Sequence, residues 1–430
     1  MILLLVLVPP VLCQAHHQNH DPSLNPSSAA EINEGLMQNQ GSGTSWLPDA
    51  TPSYAFMKHT ETWMLMMHFN VFGGYTYQSG KLGDDQVLST NWLMFAAERK
   101  VAGVSKAGKG TLMFRGMISM EPLTVGGKGY PLLFQTGETF KGAELTNRQH
   151  PHDFAMEIAA AYRAPIGGKW FFSVYGAPVG EPALGPPAFM HRLSAIDNPE
   201  APIGHHWQDS THISAGVITI GVGREQWKVE GSIFTGRERN EDRWDIDRPK
   251  FDSWSTRVSV NPLKTLAVQA SYGFLRSPEV LQPLVDERRI TASAIYHRPF
   301  GDKSYSATTF VWGRNIKNER GYSGFSTDSI LVESTLSLKE KSSVFMRYER
   351  VEKSELFAGA HVHGQYADVY TVHRISFGGV QNLPIPGPLA LGIGASFGVP
   401  VIPPGTEFVF GRQLYSTTGY LRFRPKRNEH

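Results

Sequence analysis

Two groups of side chains in this chain carry donor atoms suited to metal chemistry. The first lies in the run from Trp63 to Phe72, where Met64, Met66, Met67 and His68 fall close together. In an extended strand, successive side chains point to opposite faces. That puts Trp63, Leu65, Met67, Phe69 and Val71 on one uniformly apolar face, and Met64, Met66, His68 and Asn70 on the other. In the run 110–122, the alternate residues Thr111, Met113, Arg115, Met117, Ser119 and Glu121 share a face. Arg115 and Glu121 mark that face as the polar one, which places Met113 and Met117 beside them. Met57 and His59 lie just before the first run. Thioethers next to imidazoles suit Cu(I); the same methionines also suit gap-filling against aromatic rings.

The second group is a set of loop histidines. His150 and His152 stand in Arg148-Gln149-His150-Pro151-His152-Asp153, and His205 and His206 in the stretch from Met190 to His212. If the loop 179–211 folds back on itself, these four histidines can line a metal or substrate site. With no tight ligand spacing, hydrogen bonding between loops is the competing use of the same residues. His212-Ile213-Ser214 offers a third chemistry, an imidazole activating a hydroxyl for lipid ester hydrolysis. Barrel lipases usually follow such a pair with asparagine, and here Ala215 takes that place.

The elements that must position these residues are strands. From Glu61 to Phe423 roughly sixteen runs alternate apolar and polar residues, with almost no helical periodicity between them. Connections after even-numbered runs are turn-like, as at 261–264, 299–302 and 339–341, whereas those after odd-numbered runs, such as 237–250 and 317–328, are long and charged. Such sorting of loops predicts an all-β fold, a transmembrane up-and-down antiparallel β-barrel of about 16 strands, with both termini periplasmic. Hydrophobic residues make up 41% of the 430-residue chain, aromatic residues 11%, and glycine is plentiful at 43. A barrel has this composition because only every second residue meets lipid. The net charge of +2 gives no basis for nucleic-acid binding.

The N-terminal run Ile2 to Val8 followed by Cys13-Gln14-Ala15 predicts a signal peptide over 1–15. Cys13 is the only cysteine, so the mature chain forms no internal disulfide. Residues 16–56, rich in Asn, Ser, Gly and Pro in their first part, are expected as a flexible periplasmic segment, 57–424 as the barrel and 425–430 as a tail. Thr417 to Phe423 alternates and closes on an aromatic, and resembles the C-terminal signal read by the barrel-assembly machinery.

Gly43 to Pro52, Trp63 to His68, Gly83-Asp84-Asp85-Gln86, Arg148 to Asp153 and Gly204 to His212 together resemble motifs of bacterial outer-membrane barrels associated with copper-resistance systems. The copper-resistance B-type barrels are the nearest named relatives. The resemblance implies an outer-membrane barrel with a metal role. Members with such a role often carry a dense Met/His tail before the first strand; this chain keeps only His16, His17, His20 and Met37 there.

The expected function is a porin-like channel or binding barrel for copper or another soft metal, located in the bacterial outer membrane. Its metal residues are Met64, Met66, His68, Met113, Met117, His150, His152, His205 and His206. Expected partners are outer-membrane lipids and lipopolysaccharide, the assembly machinery, and a small solute or metal ion. The alternatives are an esterase built on His212 and Ser214, and a plugged structural or adhesion barrel.

Overall fold

A computed structural model describes residues 41–319, 324–357 and 368–428. The expected signal peptide and the histidines at 16, 17 and 20 lie outside the described residues. The described chain forms a closed antiparallel barrel of 16 strands. In order these are β1 (Met64–Gln78), β2 (Asn91–Val101), β3 (Gly110–Ile118), β4 (Ala155–Gly167), β5 (Trp170–Gly180), β6 (Ser214–Arg224), β7 (Trp227–Phe234) and β8 (Ser253–Leu263). They continue as β9 (Leu266–Leu275), β10 (Val285–Phe300), β11 (Ser304–Glu319), β12 (Phe325–Leu338), β13 (Ser342–Lys353), β14 (Tyr370–Asn382), β15 (Leu389–Val401) and β16 (Ser416–Pro425). Each pairs with the next, and β16 closes the barrel on β1 from Val71↔Phe423 to Gln78↔Ser416. Where that pairing ends, the short strand Ala55–His59 takes over the free edge of β1, so Met57 pairs with Met66. No long unpaired edge is left there.

Short turns join β2 to β3, β4 to β5 and every later even strand to its successor, as the sequence pattern predicts. Between β12 and β13, Lys339 and Glu340 both take φ of 53°, the positive φ that a two-residue hairpin turn needs at both central positions. Outward residues are apolar, including Phe95, Phe114, Ile220, Val344, Phe377 and Leu421, each about half exposed. Trp170 and Trp227 meet 5.2 Å apart at the short-turn end, where interfacial aromatics belong. A closed barrel with this surface is a protein of the bacterial outer membrane.

The interior is filled by three segments. Residues 41–54, expected as part of a mobile periplasmic stretch, run inside the barrel. Thr44 is gripped there by Lys228, which donates to its carbonyl, and by Arg257, which donates to its hydroxyl at 2.8 Å. Asn261 donates to the Leu47 carbonyl at 2.9 Å. The loop between β3 and β4 carries an inner hairpin, Tyr130–Phe140 with Ala143–Gln149, that the alternation pattern did not predict. Its Leu132, Leu133 and Phe134 are fully buried against Trp207, Val351, Val372 and Phe410. The loop between β5 and β6 folds inward along almost its whole length and forms three short helical turns, Phe189–His191, His205–Gln208 and Ser210–Ile213. We refer to this 181–213 segment as the plug.

Charged pairs fix the plug to the wall. Glu333 on β12 accepts from Arg192 of the plug at 2.8 Å and from Arg347 of β13 at 2.9 Å. Glu200 accepts from Arg374 of β14 at 2.6 Å, and Asp197 pairs with Arg422 of β16. All of these side chains are about 95% or more buried. Removing one partner from a buried pair typically costs about 3–5 kcal/mol, because a bare charge remains. Glu200→Ala should therefore loosen the plug and speed protease cleavage within 181–213 in detergent micelles while the barrel stays folded. Cleavage at the wild-type rate would show that these pairs do not hold the plug.

Candidate functional site

Strand register sets the first candidate site. Met94 of β2 faces His68 of β1 on one side and Met117 of β3 on the other, so His68, Met94 and Met117 form one inward row across three strands. Side chains directly opposite in such a row have Cβ atoms ~4.5–5.5 Å apart. Trp92, also inward on β2, stands between two imidazoles, 4.6 Å from the His68 ring and 4.7 Å from that of His191. The two histidines are 6.5 Å apart. Trp92, Met94, Met117, Met156 and Met190 share one buried cluster, and Met66 packs on its edge. Asn70 anchors the wall to the plug here, donating to the Ile196 carbonyl at 2.9 Å.

Met66, His68 and Met117 thus come together. Met64 and Met113 do not join them, because both flank Glu98 in a separate inward row. Met113 packs instead among Tyr175, Leu184 and Phe234. Met94, Met156, Met190 and His191 complete the pocket. Met94 was legible in principle, since it alternates with Trp92 and the charged Glu98 along β2. His191 had no local signal: the plug carries it to β1 from far along the chain.

The loop histidines also converge. His205 lies 5.4 Å from His206 and 5.1 Å from His212, and His212 lies 5.4 Å from His152. His150 is 5.7 Å from His206. Most are steered by a carboxylate: Nδ1 of His152 by Glu121 at 2.9 Å, Nδ1 of His205 by Asp209 at 2.6 Å, Nδ1 of His206 by Glu238 at 3.0 Å, and Nε2 of His150 by Glu138 at 3.0 Å. Metal-binding imidazoles are usually oriented this way, and so are structural ones. The buried Nε2 atoms of His191, His206 and His212 have no hydrogen-bond partner. His150, His205 and His206 are mutual neighbours, with His150 and His205 6.3 Å apart, but among the described residues no three of these rings bring their nitrogens within 4.8 Å of one another.

A small cavity lies between the two groups, lined among others by His150, His152, Asn70, Trp92 and Met190. The turn Phe189–His191 connects them physically, since Phe189 stacks 6.3 Å from His152 while His191 faces His68.

Burial pushes the His150 and His191 imidazoles well below their usual range and His212 to about 3, so all three are neutral near pH 7. Burial and His206 lower His205 too, against the pull of Asp209. His152 goes the other way: burial opposes its charge, but Glu121, Asp153 and Glu138 together outweigh burial and raise it. Neutral imidazole is the metal-binding form.

Ser214 donates its hydroxyl to the Thr211 carbonyl at 2.9 Å, while Nδ1 of His212 meets the Asp209 carbonyl at 2.8 Å. Residues 210–213 form a 3-10 turn, so His212 and Ser214 do not lie along one strand face as expected. They lack the hydrogen bond that a nucleophile and its base require.

No protein-family model matches the chain, and no curated protein does. Solved structures do. OmpT of Vibrio cholerae aligns over 86% of this chain and 99% of its own at 8% identity, with a TM-score of 0.50. An anion-selective porin from Comamonas acidovorans covers 84% and 99% at 12% identity, TM-score 0.50. Salmonella typhi OmpF covers 86% and 100% at 9% identity, TM-score 0.51. The fold is that of an outer-membrane porin. At these identities the likeness is one of architecture.

His212 offers a pH test. An exposed imidazole takes up a proton below about pH 6.5, but the buried one does so only near 3. Between those values the displaced plug binds more protons than the seated one, so His212 makes the seated plug less stable as pH falls. His212→Gln should make plug release, read by protease cleavage, less acid-sensitive than wild type between roughly pH 6.5 and 4. Identical pH profiles would show that His212 stays buried in both states.

Proposed function

We propose that the protein is a plugged outer-membrane barrel that takes a soft metal ion, Cu(I) foremost, into its interior and holds it between thioethers and imidazoles. The observation that carries this is the row His68, Met94 and Met117 set opposite Met190 and His191 of the plug. Thioethers select soft cations, and neutral imidazoles complete such a site without adding charge. A filled lumen argues for a binding barrel over an open diffusion pore. Resemblance to copper-resistance barrels points the same way.

The loop histidines supply a route inward. Adjacent imidazole pairs lead from His206 through His205 and His212 to His152, and the cavity then reaches Trp92 and Met190. Transit requires sites strong enough to enter and weak enough to leave, and pairwise contacts meet that condition better than a closed tetrahedral cage.

Met66→Leu, His68→Gln and Met117→Leu together should weaken Ag(I) or Cu(I) binding at least tenfold, measured by competition with a chelator under reducing conditions. Leucine conserves methionine's volume, so the barrel should still fold. Met64→Leu with Met113→Leu should bind as wild type, because those residues sit outside the pocket. Equal affinity in all three proteins would remove the basis for the proposal.

A further inference from the structure

A different arrangement stands where the plug meets two outer loops. His206 on the plug, Glu238 in the β7–β8 loop and Glu279 in the β9–β10 loop bring one ligand atom each within 4.8 Å of the others. Nδ1 of His206 lies 3.0 Å from Oε1 of Glu238. The remaining valences are open. Nε2 of His206, a residue 5% exposed, has no partner, and neither does the buried Oε2 of Glu238. Among the described residues, Glu279 makes no side-chain hydrogen bond or ion pair. The nearby cations are already committed, Arg289 to Glu287, Lys317 to Glu355 and Arg243 to Glu138. Two carboxylates therefore converge on an imidazole, and among the described residues neither is ion-paired with a lysine or arginine.

Backbone close by makes room for the ring. Gly137 of the inner hairpin, at φ of 103°, lies flat against His206; a Cβ there would come within 2.5–2.8 Å of the ring atoms. The nearest ring atoms are Cε1, Nε2 and Nδ1, so the bare backbone of Gly137 packs against the nitrogen-bearing edge of the imidazole, where no side chain would fit.

We propose that His206, Glu238 and Glu279 form a binding site for a divalent first-row transition cation of the Zn²⁺ type, which clamps the plug to the outer loops. One nitrogen and two carboxylate oxygens make a hard-to-borderline donor set with room for water, and without sulfur it does not favour Cu(I). The ion would tie together three segments far apart in sequence. The proposal does not rest on the soft-metal pocket of His68, Met94, Met117, Met190 and His191, which shares no ligand with it; His206 is common only to the imidazole route that leads there.

The test uses the full refolded chain in detergent, with Co²⁺ as the spectroscopic probe. Co²⁺ should give the ligand-field absorption of a low-coordinate nitrogen/oxygen site, and Zn²⁺ should displace it. Glu238→Gln and Glu279→Gln should each weaken Co²⁺ binding at least tenfold. Both should keep wild-type Ag(I) binding, which reports an intact interior and separates failure here from failure of the soft-metal pocket. No Co²⁺ band, or a band unchanged in both variants, would overturn the proposal and leave the two glutamates as buried acids sharing protons.

Discussion

Everything inside this barrel depends on how its buried charges are neutralised. The wall strands carry Arg257, Arg289, Arg347, Arg374 and Arg422, each essentially inaccessible to solvent. A bare charge in such surroundings costs several kcal/mol even after relaxation. The neutralising carboxylates come from a neighbouring strand, as with Glu230, from the same strand, as with Glu287, or from the plug, as with Asp197 and Glu200. Wall and plug are therefore each other's counter-ions. The plug is fixed in one position because moving it would strip charge from both sides at once. Apolar contacts of the inner hairpin add burial, but the directional ion pairs set the register between plug and wall.

That fixed register gives the proposed metal sites their geometry. Asp197 and Glu200 hold the stretch downstream of His191, and Arg192, the next residue along, pairs with both Glu333 and Asp209. His191 is therefore held against Trp92, facing His68. Asp209, just past the end of the short helix His205–Gln208, in turn orients His205 at its start. The same pairs that neutralise the interior also aim its imidazoles. Structural and functional roles cannot be separated at these positions by burial alone; what separates them is the donor atoms left open.

Much of the barrel was legible in the sequence because lipid and lumen impose a period of two. Arg115 identified the inward face of β3, although Glu121, read with it, falls in a helical turn just past the strand's end, and the Trp63 to Asn70 alternation identified that of β1. The plug was not legible for the opposite reason. Leu132, Leu133 and Phe134 are consecutive and all buried, because this part of the hairpin touches protein on every side, while only the tip at 141–143 is exposed. Likewise, Met66, His68 and Met117 were found as inward residues, but grouping them and setting Met64 and Met113 apart required cross-strand register. His191, Glu238 and Glu279 reach their partners only through tertiary folding, so spacing along the chain held no sign of them. The stretch 41–54 reads as loop by composition, yet it is held inside by Arg115, Lys228 and Arg257, whose carbonyl and hydroxyl partners carry no sequence signature.

The central claim is that the interior binds a soft ion through both wall thioethers and plug imidazoles. X-ray absorption at the copper edge of the Cu(I)-loaded, refolded protein tests it most directly. Sulfur and nitrogen scatterers are expected around the same ion, with the sulfur contribution lost when Met66 and Met117 are replaced by leucine. A shell of nitrogen and oxygen alone, unchanged by those replacements, would contradict it.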